Sequence, residues 1–240
     1  MIGLGTLLNS AAIVIGGIMG TLGGKFISER YRDILIKANA LCVMFIGISG
    51  ALSKMMTVNG TSLATNGTMM MIVSLVLGSL IGEFFNIDGK INTFGEFLRR
   101  KTKSNGDNTF VNGFVTASVT VCVGAMAVVG AINDGISGDI SVLAAKSLLD
   151  FIIILILSAA LGKGCIFSAI PVAIFQGSIT VFAHFIAPHL TDTALNNLSL
   201  TGSMLIFCIG ANFIMDKKFK FKVANMLPAI IIAVIWAFIF

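Results

Sequence analysis

Eight stretches of mainly apolar residues, each near the length of a helix that crosses a bilayer, take up almost the whole chain, and nothing else in the sequence constrains its folding as strongly. They lie at 2–24, 34–52, 68–85, 110–132, 141–161, 165–187, 198–215 and 223–240. A hydrocarbon core about 30 Å thick needs about 20 such residues per helix. Only 11% of the 240 residues are charged while 56% are hydrophobic, and the mean hydropathy is +0.99. Such a chain cannot clothe a soluble surface, which excludes a water-soluble globule, and its charge is too sparse for a disordered tail. In lipid every backbone polar group must be met internally, and the strict alternation of a barrel strand is missing. The expected fold is therefore an all-α, polytopic helical membrane bundle of about eight spans, forming a single transmembrane domain over 1–240. The last stretch reaches span length only by including Pro228, so seven spans with a half-inserted tail is the alternative count.

The basic residues orient the bundle. Lys25, Arg30, Arg32 and Lys37 follow the first stretch, and Lys90, Arg99, Arg100, Lys101 and Lys103 follow the third. Lys163 follows the fifth, and Lys217, Lys218, Lys220 and Lys222 follow the seventh. Fourteen of the 16 Lys and Arg thus fall on one side, and only Lys54 and Lys146 on the other. Positive charge is retained on the cytoplasmic face, so both termini are expected on the outer side of the membrane. The net charge of +5 is explained by orientation and anionic headgroups, which leaves no support for a nucleic-acid partner. The first stretch has no basic residue ahead of it and no small-residue cleavage site, so it is expected to stay as a helix.

The longest cytoplasmic link, 86–108, places Ile91, Phe94, Phe97 and Leu98 at helical spacing among Lys90, Arg99, Arg100 and Lys101. An amphipathic helix lying in the interface is expected there, followed by a flexible stretch through Ser104, Asn105, Gly106, Asp107 and Asn108. The segment 55–67 reads as an exposed connection. Cys42, Cys122, Cys165 and Cys208 fall inside or at the ends of spans, where a thiol behaves as a small hydrophobe. His184 and His189 lack a third ligand in register, so neither a metal nor another cofactor is expected.

Glycines recur at spacings that let helices approach closely, with Gly16, Gly20 and Gly24 on the first stretch and Gly78 and Gly82 on the third. Internal similarity points to repeated helical hairpins. Ile81-Gly82, Phe85, Asp88 and Lys90 match Ile209-Gly210, Phe213, Asp216 and Lys218, and Cys42, Val43, Gly50 and Ala51 match Cys122, Val123, Gly130 and Ala131. Because every copy runs in the same sense, the pattern is that of a parallel repeat.

Polar groups inside the apolar stretches mark a candidate path. Asp150 lies about 13 Å along the fifth helix, with Lys146 one turn before it at the i, i+4 spacing that pairs charges. Charges at that depth usually face a bundle interior or water; an ion pair that merely sets helix register is the other reading. Asn112, Thr116, Thr120 and Gly124 share one face of the fourth helix, and Gln176, Thr180 and His184 share one face of the sixth. The latter begins just beyond Pro171, expected to break that helix as in many transporters. Asn133 and Asp134 read either as an outer mouth that gathers cations or as an ordinary polar turn.

Several strings carry a family resemblance. Met1-Ile-Gly-Leu-Gly-Thr6 with Asn9, Phe45-Ile-Gly-Ile-Ser-Gly50, Gly113-Phe-Val-Thr-Ala117, Cys122-Val-Gly-Ala-Met-Ala127, Lys146-Ser-Leu-Leu-Asp150, Phe167-Ser-Ala-Ile-Pro171, Gln176-Gly-Ser-Ile-Thr180 and Asn225-Met-Leu-Pro-Ala229 closely resemble the YdfK/YqgA-type family, domain of unknown function 554. The likeness covers essentially the whole chain. It implies a bacterial polytopic inner-membrane protein, of a kind associated with transport but without an assigned substrate, and it brings no catalytic residues to transfer.

The expected function is a channel or transporter for a small ion or solute, with Asp150, Lys146, Gln176, Thr180, Asn112, Thr116 and Thr120 along the path. The alternative is a non-conducting membrane scaffold or accessory subunit. An enzyme is not expected, since no HExxH, Gly-x-Ser-x-Gly or paired catalytic aspartates occur, and no phosphate loop points to ATP. The expected partners are the lipid bilayer, the solute and, given the glycine ridges and small size, further copies of the chain.

Overall fold

Long apolar runs punctuated by glycine and broken by only three prolines fold as helix in the computed structural model, which describes residues 2–24, 29–60, 62–104, 109–122 and 125–239. The helices are α1 (Leu4–Gly24), α2 (Glu29–Met55), α3 (Thr68–Phe84), α4 (Ile87–Lys101), α5 (Phe110–Cys122), α6 (Ala125–Ser137) and α7 (Ser141–Leu161). A 3-10 turn at Lys163–Ser168 leads into α8 (Ala169–Val181), followed by α9 (Ala183–Ile186), α10 (Asp192–Asn212), α11 (Val223–Met226) and α12 (Pro228–Ile239). Among the described residues the fold is all-α apart from one hairpin.

That hairpin occupies the segment expected to be an irregular connection. β1 (Met56–Asn59) pairs antiparallel with β2 (Ser62–Thr65), Met56 opposite Thr65 and Asn59 opposite Ser62. Gly60, at φ 63°, supplies the left-handed backbone that a tight hairpin turn requires.

Among the described residues, five segments are long and apolar enough to cross a membrane: Leu4–Gly24, Ile36–Met55, Ser141–Leu161, Lys163–Val181 and Asp192–Asn212. The number rises to seven when α3 with α4, and α5 with α6, are each counted as one bent span. The eighth apolar stretch is helical but shorter, Val223–Ile239, and is interrupted at Leu227 ahead of Pro228. Proline there opens α12, where its missing N–H breaks no helical bond. The stretches expected at Asn105–Asn108, and Lys25 and Gly124, lie outside the described residues.

The helices pack in two units, Met1–Ala38 with Ile91–Cys122 and Met126–His189, and Asn39–Lys90 with Val123–Ala125 and Leu190–Phe240. In the first unit α1 lies directly on α7. A side chain at Gly16 would meet the Phe151 carbonyl at 2.6 Å, one at Gly24 the Ala159 carbonyl at 2.7 Å, and one at Gly20 the Leu155 carbonyl. Both series ascend by four, so the two helices run parallel, as a first and a fifth span must. Gly113 against Leu161 and Gly130 against Leu143 make α5 and α6 antiparallel to α7. The start of α5 is clamped by the Gly164–Phe110 contact and by Leu98 and Gly95 of α4, which pack on Phe114 and Val111. α4 leaves Phe94 and Phe97 exposed, with the Lys101 ammonium 5.8 Å from the Phe97 ring centroid.

In the second unit Gly78 faces Ala229 and Gly82 faces Asn225, which sets α3 antiparallel to α11 and α12. Gly47 and Gly50 face Phe207 and Ser203, and Gly210 faces Met44, which sets α2 antiparallel to α10. Every register agrees with spans that alternate in direction. A polar knot closes one end of this unit. The Lys222 ammonium donates to Glu83 at 2.6 Å, the Asn225 amide donates to Glu83 at 2.5 Å, and the Asp88 N–H donates to Asn225 at 2.6 Å. Both glycine ridges expected from the sequence are thus filled by the chain's own helices, so neither remains as a seam for a second copy.

Candidate functional site

The buried face of α7 runs through Leu143, Lys146, Ser147, Asp150, Ile154 and Leu157, an i, i+3, i+4 series that puts two charges on the side facing other helices. Lys146 is 6% exposed and Asp150 3%. Their side chains meet at 2.5 Å, Nζ to Oδ2. A single charge in mid-membrane is costly, and the pairing makes a net-neutral unit.

Lys146 also donates to the Val121 carbonyl at 2.8 Å. Val121 is in the last described turn of α5, where the helix dipole favours a cation. α5 and α6 are bent by 63° to one another, and the Val121 carbonyl that takes the lysine lies on the α5 side of that bend. The broken helix was expected at Pro171 instead. Pro171 is the third residue of α8, in a first turn that needs no bond from its nitrogen, so it starts a helix without breaking one.

Two more helices close the cluster. Asn9 of α1 donates its amide to Asp150 Oδ2 at 3.0 Å and to Gln176 Oε1 of α8 at 3.3 Å. Both carboxamide residues are fully buried, at 0% exposure. Their other ends, Asn9 Oδ1 and Gln176 Nε2, have no hydrogen-bond partner. One turn further along both helices the hydroxyls of Thr6 and Thr180 stand 3.5 Å apart. Beyond them Asp134, also fully buried, accepts the Gly3 N–H at 3.1 Å and the Gly5 N–H at 3.0 Å. It meets free donors at the start of α1, where an anion is favoured. Asn133 and Asp134 therefore belong to α6, with Asp134 sealed against the chain and forming neither a mouth nor a turn.

The structure brings together Lys146, Asp150 and Gln176, with Thr180 a turn away. No hydrogen bond among the described residues joins Asn112, Thr116 or Thr120 to them. Asn112 is exposed, Thr116 half-buried, and the Thr120 hydroxyl donates to the Thr116 carbonyl at 2.7 Å within its own helix. Shared spacing put these three on one face, but a threonine hydroxyl can satisfy itself on the preceding turn. Sequence reasoning gave Asn9 and Thr6 no role at the site. The available signal was modest: Asn9 is the only carboxamide in 2–24, on the face that continues through Ile13, Gly16 and Gly20.

Membrane-length helices that bury an ion pair against a helix break define a polytopic helical membrane protein with a polar interior. Residues 4–238 match the model of a family described as "Protein of unknown function (DUF554)", and the chain belongs to that family. It is 27% identical over 235 residues to "Uncharacterized membrane protein YdfK" of Bacillus subtilis (strain 168), covering 98% of this chain and 96% of that protein. It is 30% identical over 234 residues to "Uncharacterized protein YqgA" of Escherichia coli (strain K12), covering 96% and 94%. No solved structure matches it.

Proposed function

We propose that this membrane protein carries a small ion or solute through the polar cluster of α1, α7 and α8. The observation that carries the reading is the meeting of Lys146 and Asp150, in the middle of a membrane-length helix, with Asn9, Gln176 and the Val121 carbonyl beside the bend between α5 and α6. Charges held at such a depth, beside discontinuous helices, are the common furniture of solute sites in transporters. Burial of all four side chains favours a carrier that alternates its access over an open pore.

The decisive experiment is flux into proteoliposomes containing the purified full chain. Uptake or current that Asp150→Asn abolishes, in protein that still elutes as a folded species, supports the reading. A second reading, a non-conducting scaffold or accessory subunit, is favoured by one observation: Lys146 already has two acceptors and Asp150 Oδ2 two donors within the chain. Absence of flux together with co-purification of a fixed partner would select it.

The same proposal places the protein in the bacterial inner membrane with both termini outside, by the bias of its basic residues, and assigns it no enzymatic role. A homo-oligomer belongs to the proposal too, through apolar helix faces other than the filled glycine ridges.

A further inference from the structure

We infer that the Asn9–Gln176 pair recognises a small uncharged solute that carries both a hydrogen-bond donor and an acceptor, of the amide or polyol class. This rests on the transport reading above and narrows it. Two observations carry the inference: how charge is balanced at the site, and which valences are left open.

Lys146 and Asp150 cancel at 2.5 Å. A bare cation entering there meets the ammonium, and a bare anion meets the carboxylate. The hydrogen-bond inventory then sets what a neutral guest must offer. Asn9 Oδ1 is an acceptor without a donor and Gln176 Nε2 a donor without an acceptor, in side chains that are fully buried.

The orientation of both amides follows from their contacts. Asn9 Nδ2 serves Asp150 Oδ2 and Gln176 Oε1 at once. Turning Asn9 over would set its oxygen against a carboxylate, and turning Gln176 over would set N–H against N–H. The open ends are therefore one C=O and one NH2. Ser10, Thr21, Ser74 and Ser158 also hold buried hydroxyls without partners. A hydroxyl on a helix can rotate toward the carbonyl one turn back, whereas these two carboxamides are committed at one end and have no such local outlet. The complement is a single molecule giving N–H or O–H to Asn9 and an oxygen to Gln176.

The test compares uptake of urea, formamide and glycerol with uptake of K⁺ and Cl⁻ in proteoliposomes holding the full chain. The expected result is entry of at least one neutral solute above that of empty vesicles, with K⁺ and Cl⁻ at the level of empty vesicles. Gln176→Met should lower that entry about two- to tenfold, the worth of one neutral hydrogen bond. Gln176→Leu, which also removes the donor and adds no charge, should do the same, so failure of one variant to fold leaves the other as a measure. The preference of the wild-type protein needs no variant at all. Passage of ions without neutral solutes overturns the assigned class and leaves the transport reading standing. Neutral uptake unchanged in either folded variant overturns the assigned site. Absence of flux for every probe overturns both together.

Discussion

Removing Lys146 tests whether the buried pair is a desolvated, mutually dependent unit. In Lys146→Met the Asp150 carboxylate keeps only the Asn9 amide at 3.0 Å, and the Val121 carbonyl loses its donor at 2.8 Å. Breaking a buried pair in a soluble interior costs about 3–5 kcal/mol, whereas polar contacts between membrane helices average about 0.6 kcal/mol. The geometry decides between these figures. Lys146 and Asp150 are on the same helix, so their mutual attraction survives when the helices separate, and only the bonds to Val121 and Asn9 are truly tertiary. A hydrogen bond to a charged group is worth about 1.5–3 kcal/mol. Loss of one such bond, with a carboxylate left behind, should destabilise the protein by about 2–4 kcal/mol. Lys146→Met/Asp150→Leu removes both charges and should regain at least half of that, because paired replacement by apolar groups is often neutral. SDS titration gives the free energies. Heating in the presence of a thiol-reactive dye gives an independent midpoint, since the Cys165 and Cys208 side chains are buried thiols outside any disulfide. A double variant no more stable than Lys146→Met would refute the assignment of the loss to an uncompensated charge, and a wild-type midpoint for Lys146→Met would refute desolvation of the pair. Flux through the double variant then separates roles: a folded protein that no longer transports needs the charges for passage, and one that transports normally needs them only for packing.

Gly20→Ala places a methyl group on the Leu155 carbonyl and should cost about 1–3 kcal/mol by overpacking, while Gly23→Ala, with nothing within 4 Å, should be neutral or gain up to about 1 kcal/mol of helix propensity. Equal melting shifts for the two would disprove the close α1–α7 seam. Asp139 accepts the Ser141 N–H at 2.9 Å just before α7, and this bond holds its carboxyl below the usual aspartate range. A depressed acid contributes stability above its unfolded value near about 4 and loses it as pH falls through the folded value. Asp139→Ala should therefore melt earlier than wild type at neutral pH, with the gap closing in acid; a gap that stays constant with pH would rule out the carboxylate as its source.

Much of the fold was legible because its rules are local. The length of most apolar runs follows from the thickness of a bilayer, and among the described residues these runs are largely helical, with five to seven segments long enough to cross. The direction of each span follows from alternation, and the parallel register of Gly16, Gly20 and Gly24 with Phe151, Leu155 and Ala159 agrees with it. Residues 55–67 went unrecognised as a hairpin, because β1 and β2 are four residues each and carry too short a pattern to stand out from a loop. Proline drew attention to the wrong break, since its position within a helix, first turn or interior, decides whether it breaks anything.

The site divides along the same line. Lys146 with Asp150 is a pairing within one helix turn, and spacing alone announced it. Gln176 and Thr180 share a face of α8 for the same reason. That this face meets Asn9 and Thr6, 167 and 174 residues earlier, depends on how α1 and α8 rotate against α7, a property of side-chain packing among distant segments. The same packing turned Asn112 outward and closed Thr120 on its own helix, although the period of that stripe is as regular. What the residues determined by themselves is a lipid-soluble helical chain with one charged pair in its interior. What only the tertiary structure decided is the company that pair keeps: two carboxamides and the end of a broken helix, because hydrogen-bond partners in a bundle are chosen by helix rotation, which no short stretch of sequence encodes.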